Sequence, residues 1–228
     1  MYTLVIGNKT YSSWSLRPWL VMSFFKIPFE EIIIPLDLPD TKENIQKYSK
    51  AGQVPVLVDN GGDDRIIVWE SLAIIDYMAD IYPEIAIWPK DKDKRAHARS
   101  MAAEMHGGFL PIRKACPMNL SKKFQQKDRG EDVAKDVARI TQLINEARSK
   151  FGDNGEFLYG EFSATDAMYA PVVTRLNTYS IAVDDVTRKY MDVIQAMPEF
   201  NQWRDAAMDE PWVLGEDEIN EKAIEVYK

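Results

Sequence analysis

Short apolar runs alternate with segments of helical period over residues 1–84. The runs are rich in β-branched residues and end at Gly, Pro, Asn or Asp, which is typical of buried strands. We predict strands over 2–6, 29–34, 54–58 and 66–69, and helices over 15–25, 41–48 and 71–82. Strands that alternate with helices indicate a mixed sheet covered by helices, with a right-handed first crossover.

The pattern changes after Pro83, where a polar connector over 88–94 leads into segments that are all of helical period. We predict helices over 93–111, 131–151, 163–176, 184–197 and 199–208, and no further strand. The chain therefore divides into an α/β domain at 1–84 and an all-helical domain at 91–228. The Ser163–Asp166 segment resembles a capping box, which specifies a helix start and carries no chemistry of its own.

The composition limits the partners. The 228 residues are 46% hydrophobic and 28% charged, as in ordinary globular proteins, and carry a net charge of −8. That acidity argues against nucleic acid and anionic membranes, which need clustered basic residues. No apolar run approaches the roughly 20 residues that span a bilayer. The apolar start of the chain is too short for a signal peptide, so we expect a cytoplasmic protein without membrane partners.

Cysteine and histidine are too sparse for a redox pair or a structural metal site. Cys116 is the only cysteine, which excludes an intrachain disulfide, and we interpret it as a packed thiol. His97 and His106 have no Cys or His companions at ligand spacing. We therefore expect no metal.

The segment from Ser12 to Arg17, Ser-Ser-Trp-Ser-Leu-Arg, lies between the first predicted strand and the first predicted helix. Its hydroxyls would lie beside unpaired backbone N–H groups and the positive end of the helix dipole. A bound thiol could be held there as a thiolate. A serine-rich helix cap explains the same residues, and the segment alone leaves both interpretations open.

Three motifs in this order and spacing resemble the soluble glutathione S-transferases: the 12–17 loop, Gln53–Leu57 and Trp69–Ser71. The capping box at 163–166 stands where that family has one. The resemblance covers nearly the whole chain. It implies a thioredoxin-like N-terminal domain followed by an all-helical C-terminal domain, glutathione as co-substrate, a small electrophile as second substrate, and a homodimer.

The resemblance also implies a set of glutathione ligands. Ser71, at a helix N-terminus, would take the γ-glutamyl carboxylate, and Glu70 would take the ammonium of the same group. Val54 would pair through its backbone with the cysteinyl part, before a cis Pro55. Gln53 could reach a carboxylate of the peptide, although a surface residue at a strand start is an equal alternative.

The loop is most similar to the Ser-Ser-Cys-Ser-x-Arg loop of the zeta class, in which the first serine is essential. That maps to Ser12, with Ser13 as a second candidate and Tyr11 as a minor one. The hydroxyl would donate to the thiolate and need not ionise. Trp14 replaces the cysteine, which disfavours cysteine-dependent thiol-transferase and dehydroascorbate reductase chemistry. We expect Arg17 to form a structural or interface ion pair.

Three functions remain open from the sequence. The first is conjugation of glutathione to a small electrophile. The second is a glutathione-dependent cis–trans isomerase of the maleylacetoacetate type. The third is a non-catalytic binding or scaffold protein on the same fold. The electrophile pocket is expected between the domains, where Met105, Phe109 and Arg113 recur at helical spacing, although a core stripe explains them too.

Overall fold

The computed structural model describes residues 1–62, 64–153 and 155–228. Its N-terminal part forms a four-stranded mixed sheet in the order β2-β1-β3-β4. The elements are β1 (Tyr2–Ile6), α1 (Ser13–Phe24), β2 (Phe29–Ile33), α2 (Thr41–Gln46), β3 (Val56–Asp59), β4 (Ile66–Trp69) and α3 (Ser71–Ile81). β1 pairs in parallel with β2 and antiparallel with β3, and β3 pairs antiparallel with β4. The predicted thioredoxin-like arrangement is confirmed.

The C-terminal part is mainly helical. Its helices are α4 (Lys92–Gly107), α5 (Leu110–Ala115), α6 (Glu131–Phe151), α7 (Ala164–Thr178), α8 (Asp185–Ala196) and α9 (Pro198–Asp209). The predicted helix over 93–111 is wrong in its last turn, because Phe109 has a φ of 56° and separates α4 from α5. The strand-free prediction is also wrong. β5 (Lys122–Phe124) pairs with β6 (Ala223–Val226), and segments this short and this distant give no clear period-2 signal.

α7 joins the two parts of the molecule. It is buried along nearly its whole length and packs against both α1 and α4. The predicted capping box at its start is confirmed, since the Ser163 N–H donates to Asp166 Oδ2 at 2.8 Å and the reciprocal bond is present. Asp166 also accepts from the N–H of Leu158 at 3.1 Å, and burial raises its pKa to about 6. This buried polar box fixes the helix that passes behind the serine loop.

Cys116 is fully buried near the end of α5, as its interpretation as a packed thiol required. Burial raises the pKa of the Cys116 thiol to about 11, so this thiol is neutral at physiological pH and shielded from solvent. Within the described residues, no cluster of His, Cys, Asp or Glu suitable for a metal is present. In the same part of the chain, no helix is long and apolar enough to cross a bilayer.

Candidate functional site

A cleft of about 570 Å³ lies between the sheet edge and the first helices of the C-terminal part. The described residues that line it are Trp14, Leu36, Asp37, Thr41, Ile45, Gly52, Gln53, Val54, Pro55, Trp69, Glu70, Ser71, His106 and Arg113. All five residues predicted to bind glutathione are in this set. They come from the segment before β3 and from the β4–α3 junction, which the sheet brings side by side.

Val54 offers free backbone to the cleft. The Val54–Pro55 peptide bond is cis, as the resemblance implied, and the sheet ladder begins only at Val56. Within the described residues, neither the N–H nor the C=O of Val54 takes part in a backbone hydrogen bond. A half-buried residue with both groups unpaired can pair with one residue of an extended peptide, as an added strand does.

The β4–α3 junction presents a helix N-terminus. Ser71 is the first residue of α3 and is 1% exposed, and its hydroxyl donates to the carbonyl of Trp14 at 2.7 Å. Ser71 is therefore the first helical residue and not the helix cap. The cap position belongs to Glu70, whose φ of 72° is in the left-handed region. The first amides of α3 and an exposed carboxylate thus lie together, which suits an ammonium–carboxylate pair such as an amino acid.

The two serines before Trp14 are buried and are not among the residues that line the cleft. The Ser12 hydroxyl donates to Ser15 Oγ at 2.7 Å, and Ser15 Oγ also accepts from the Gly7 N–H at 3.1 Å. Ser13 Oγ accepts from Arg175 at 3.3 Å and donates to no described residue. The Ser12 hydroxyl therefore already donates a hydrogen bond within the loop, whereas the Ser13 hydroxyl proton has no acceptor among the described residues.

Tyr11, the third candidate donor, is turned to the C-terminal segment. Its hydroxyl donates to Glu218 Oε1 at 2.8 Å, and burial together with that carboxylate raises its pKa. The preceding residues are held from the same segment, since Glu210 accepts from the N–H of Lys9 at 2.8 Å and of Thr10 at 3.4 Å. The C-terminal segment fixes the start of the serine loop and occupies the tyrosine hydroxyl.

Comparison with known proteins agrees with this geometry. The family model for the glutathione S-transferase N-terminal domain matches residues 11–81. A probable maleylacetoacetate isomerase of Caenorhabditis elegans is 24% identical over 181 residues, 73% of this chain and 83% of that protein. Glutathione S-transferase L1 of Arabidopsis thaliana is 27% identical over 188 residues, 82% and 70% of the respective chains. The chain is thus similar to glutathione S-transferases, and the family model itself covers the N-terminal part at residues 11–81.

A crystal structure of a glutathione transferase homolog from Burkholderia GL BGR1 with bound glutathione shares the fold. It superposes with a TM-score of 0.67 at 21% identity and covers 91% of this chain and 98% of that chain. The glutathione S-transferase fold therefore extends across both parts of the molecule. The expected two-part architecture is confirmed, apart from the small β5–β6 sheet.

Trp14 contacts two arginines and a histidine in the cleft region. The guanidinium of Arg17 lies 4.2 Å from its ring centroid and that of Arg113 lies 5.3 Å away, while the His106 ring meets its edge at 5.2 Å. Among the described residues, Arg17 does not form the expected ion pair. Arg17 is fully buried and donates instead to the carbonyls of Met168 and Ser13, at 3.1 and 2.7 Å.

His106 and Arg113 are cleft residues that sequence reasoning did not assign to glutathione. His106 Nε2 lies 3.5 Å from a Glu70 carboxylate oxygen, and Arg113 follows the helix break at Phe109. That break interrupts the helical stripe of Met105, Phe109 and Arg113, so that only Arg113 lines the cleft and the other two are buried. A Gly-Gly pair before Phe109 was the one sequence signal of such a break.

Proposed function

We propose that this protein binds glutathione in the cleft, stabilises its thiolate and conjugates it to a small electrophile. One observation carries the proposal. Val54, whose backbone is unpaired among the described residues, lines the same cleft as Ser71 at the N-terminus of α3, and Glu70 and Gln53 lie beside them. In this arrangement the γ-glutamyl group meets Glu70 and Ser71. The cysteinyl residue pairs with Val54, and Gln53 reaches a carboxylate of the tripeptide.

The sulfur then lies near the N-terminus of α1. A free thiol has a pKa near 8.5, so it is mainly neutral at physiological pH unless a donor stabilises the anion. We favour Ser13 over Ser12 as that donor, because Ser12 already donates to Ser15. Ser13 receives a charge-assisted hydrogen bond from Arg175, which makes its own O–H a stronger donor.

Isomerisation of the maleylacetoacetate type is the second candidate, supported by the Caenorhabditis elegans relative. In that reaction glutathione adds to a cis double bond and leaves again, so it is not consumed. Trp14 stands in place of the zeta-class cysteine and weakens this candidate. Measuring glutathione consumption against product formation separates the two reactions.

We also propose a homodimer. β4 is an edge strand with a free side, and it exposes Ile66 and Trp69 at 47% and 52%. An exposed apolar strand edge is a template for pairing with another chain. A second copy of the chain would cover it, and analytical ultracentrifugation of the protein and of Ile66→Lys tests this. A single monomeric species for the unaltered protein overturns the proposal.

Calorimetry with glutathione, followed by ultraviolet absorbance of the bound thiolate, tests the proposed function. We compare the unaltered protein with Ser12→Ala, Ser13→Ala and the control Ser100→Ala, an exposed helix position. Binding with a thiolate signal that only Ser13→Ala removes supports the proposal and assigns Ser13. Loss in Ser12→Ala alone assigns Ser12. No binding of millimolar glutathione by the unaltered protein overturns both enzyme candidates.

A further inference from the structure

Three arginines from different elements converge on the Ser13–Trp14 pair. Arg17 in α1 donates to the Ser13 carbonyl, and Arg175 in α7 donates to the Ser13 hydroxyl. Arg113 in α5 lies over the Trp14 ring, which Arg17 also contacts. We call Arg17, Arg113 and Arg175 the arginine cluster. Its members lie close enough that Arg113 and Arg175 both lower the pKa of Arg17.

The arginine cluster lacks a matching set of carboxylates. Among the described residues, none of its guanidinium groups lies within 4.0 Å of an Asp or Glu oxygen. Arg17 Nη2 and Arg175 Nε are buried and have no hydrogen-bond partner among the described residues. The Arg113 side chain makes no hydrogen bond to those residues either. Buried charge without a partner is costly, so the arrangement favours a bound anion.

The anion site opens on the cleft through Arg113 and Trp14, which are both lining residues. Ser71 is bonded to the Trp14 carbonyl, so the amino-acid site and the arginine cluster share one fixed loop. The facing charged groups are Asp37 in the cleft, the Glu70–His106 pair, and Asp217, whose charge acts on Arg175. The γ-glutamyl carboxylate is assigned to Ser71 at the α3 N-terminus and the other carboxylate to Gln53, so the sulfur is the one anionic group of glutathione not yet assigned a partner.

We propose that the arginine cluster supplies the positive charge that holds the glutathione sulfur as a thiolate, with Arg113 acting from the cleft wall and Arg175 acting through Ser13. This inference rests on the proposed function. When the thiol ionises, the S–H bond breaks, its electron pair stays on sulfur and the proton passes to solvent. The same electron pair then forms the bond to the electrophilic carbon, where either a π bond breaks or a leaving group departs with its bonding pair. No side chain has to accept the thiol proton.

The test titrates the bound thiolate by ultraviolet absorbance in the unaltered protein, Arg113→Gln, Arg113→Lys and Lys114→Gln. Lys114→Gln is the matched control, since it removes one positive charge from the neighbouring exposed position of α5 outside the cleft lining. Calorimetry with glutathione and with S-methylglutathione accompanies each titration. The methylated form keeps both carboxylates and the ammonium but has no ionisable sulfur.

We expect Arg113→Gln to raise the pKa of the bound thiol by about one unit, a tenfold loss of thiolate below that pKa. Arg113→Lys keeps most of the effect, Lys114→Gln leaves it unchanged, and S-methylglutathione binds all four proteins alike. An equal loss of affinity for both ligands in Arg113→Gln, with an unchanged thiol pKa, would place Arg113 on a carboxylate and overturn the inference.

Two further outcomes separate the inference from the function on which it rests. If the unaltered protein binds glutathione with a thiol of ordinary pKa, the arginine cluster does not act on sulfur, while the glutathione site stands. If the unaltered protein binds neither ligand, the proposed function fails and the inference fails with it.

Discussion

The two walls of the cleft are built from different kinds of residues. The wall from the thioredoxin-like part consists of backbone features that short stretches of sequence specify. Examples are Val54 before a cis proline and Ser71 at a helix start. The wall from the helical part consists of the side chains of His106 in α4 and Arg113 in α5, on either side of the helix break at Phe109. The first wall suits recognition of a peptide backbone and its end groups, and the second brings charge toward the reacting atom.

This difference separates affinity from ionisation. Changes in the first wall should weaken glutathione binding, whereas changes in the second should alter the state of the sulfur. The arginine cluster depends on α7, because Arg175 contacts Ser13 only when that helix is packed against α1. A variant that destabilises α7 is therefore the first test of the difference between the two walls.

Asp166→Ala should have the largest effect. The change removes the acceptor of two buried N–H groups, those of Ser163 and Leu158. An unsatisfied buried donor costs about 1–3 kcal/mol, so we expect the free energy of unfolding to fall by about 2–4 kcal/mol. Urea denaturation measures this.

Asp184→Ala is the matched control for that experiment. Asp184 caps α8 by accepting from the Thr187 N–H at 2.8 Å, but it is exposed. Loss of an exposed cap costs about 1 kcal/mol. Equal losses in the two variants would show that the buried box contributes no more than an ordinary cap.

Glu70→Gln tests whether the first wall acts on glutathione affinity alone. The substitution removes the charge assigned to the glutathione ammonium while keeping the side-chain shape. We expect about a tenfold loss of glutathione affinity, or about 1.4 kcal/mol, with the pKa of the bound thiol unchanged. Calorimetry gives the affinity and ultraviolet titration gives the pKa.

His106→Gln accompanies Glu70→Gln, because His106 is the described group that contacts the Glu70 carboxylate. Glutathione must compete with that contact, so His106→Gln should bind glutathione at least as tightly as the unaltered protein. A thiol pKa that moves in Glu70→Gln would mean that the two walls do not act separately.

The first wall could be predicted from sequence because its signals are local. A residue before proline is extended, and a serine after a strand can open a helix, so Val54 and Ser71 follow from short segments. The family resemblance then supplied the cis bond and the ligand roles. The alternation of β1, α1 and β2 likewise predicted the sheet, since the hydrophobic residues of each strand and helix recur with that element's own period.

The contacts of the arginine cluster could not be predicted in the same way. Arg175 reaches Ser13 across 162 positions of sequence, and nothing in either segment indicates the other. Arg17 was expected in an ion pair because it stands on a helix just past the loop, but here two backbone carbonyls accept its hydrogen bonds. β5 and β6 were missed for the same reason, because their pairing joins residues about a hundred positions apart.

Tyr11→Phe should have the smallest effect and decides the last alternative for the thiolate donor. The hydroxyl of Tyr11 is bonded to Glu218, and the backbone before it is held independently by Glu210. Losing that bond costs about 1 kcal/mol of stability, and Asn119 and Lys122 still donate to Glu218. We expect the pKa of the bound thiol and kcat/KM for conjugation to stay unchanged. A thiolate signal lost in Tyr11→Phe but kept in Ser13→Ala would move the donor from the serine pair to the tyrosine. It would also require the C-terminal segment to release Glu218 when glutathione binds.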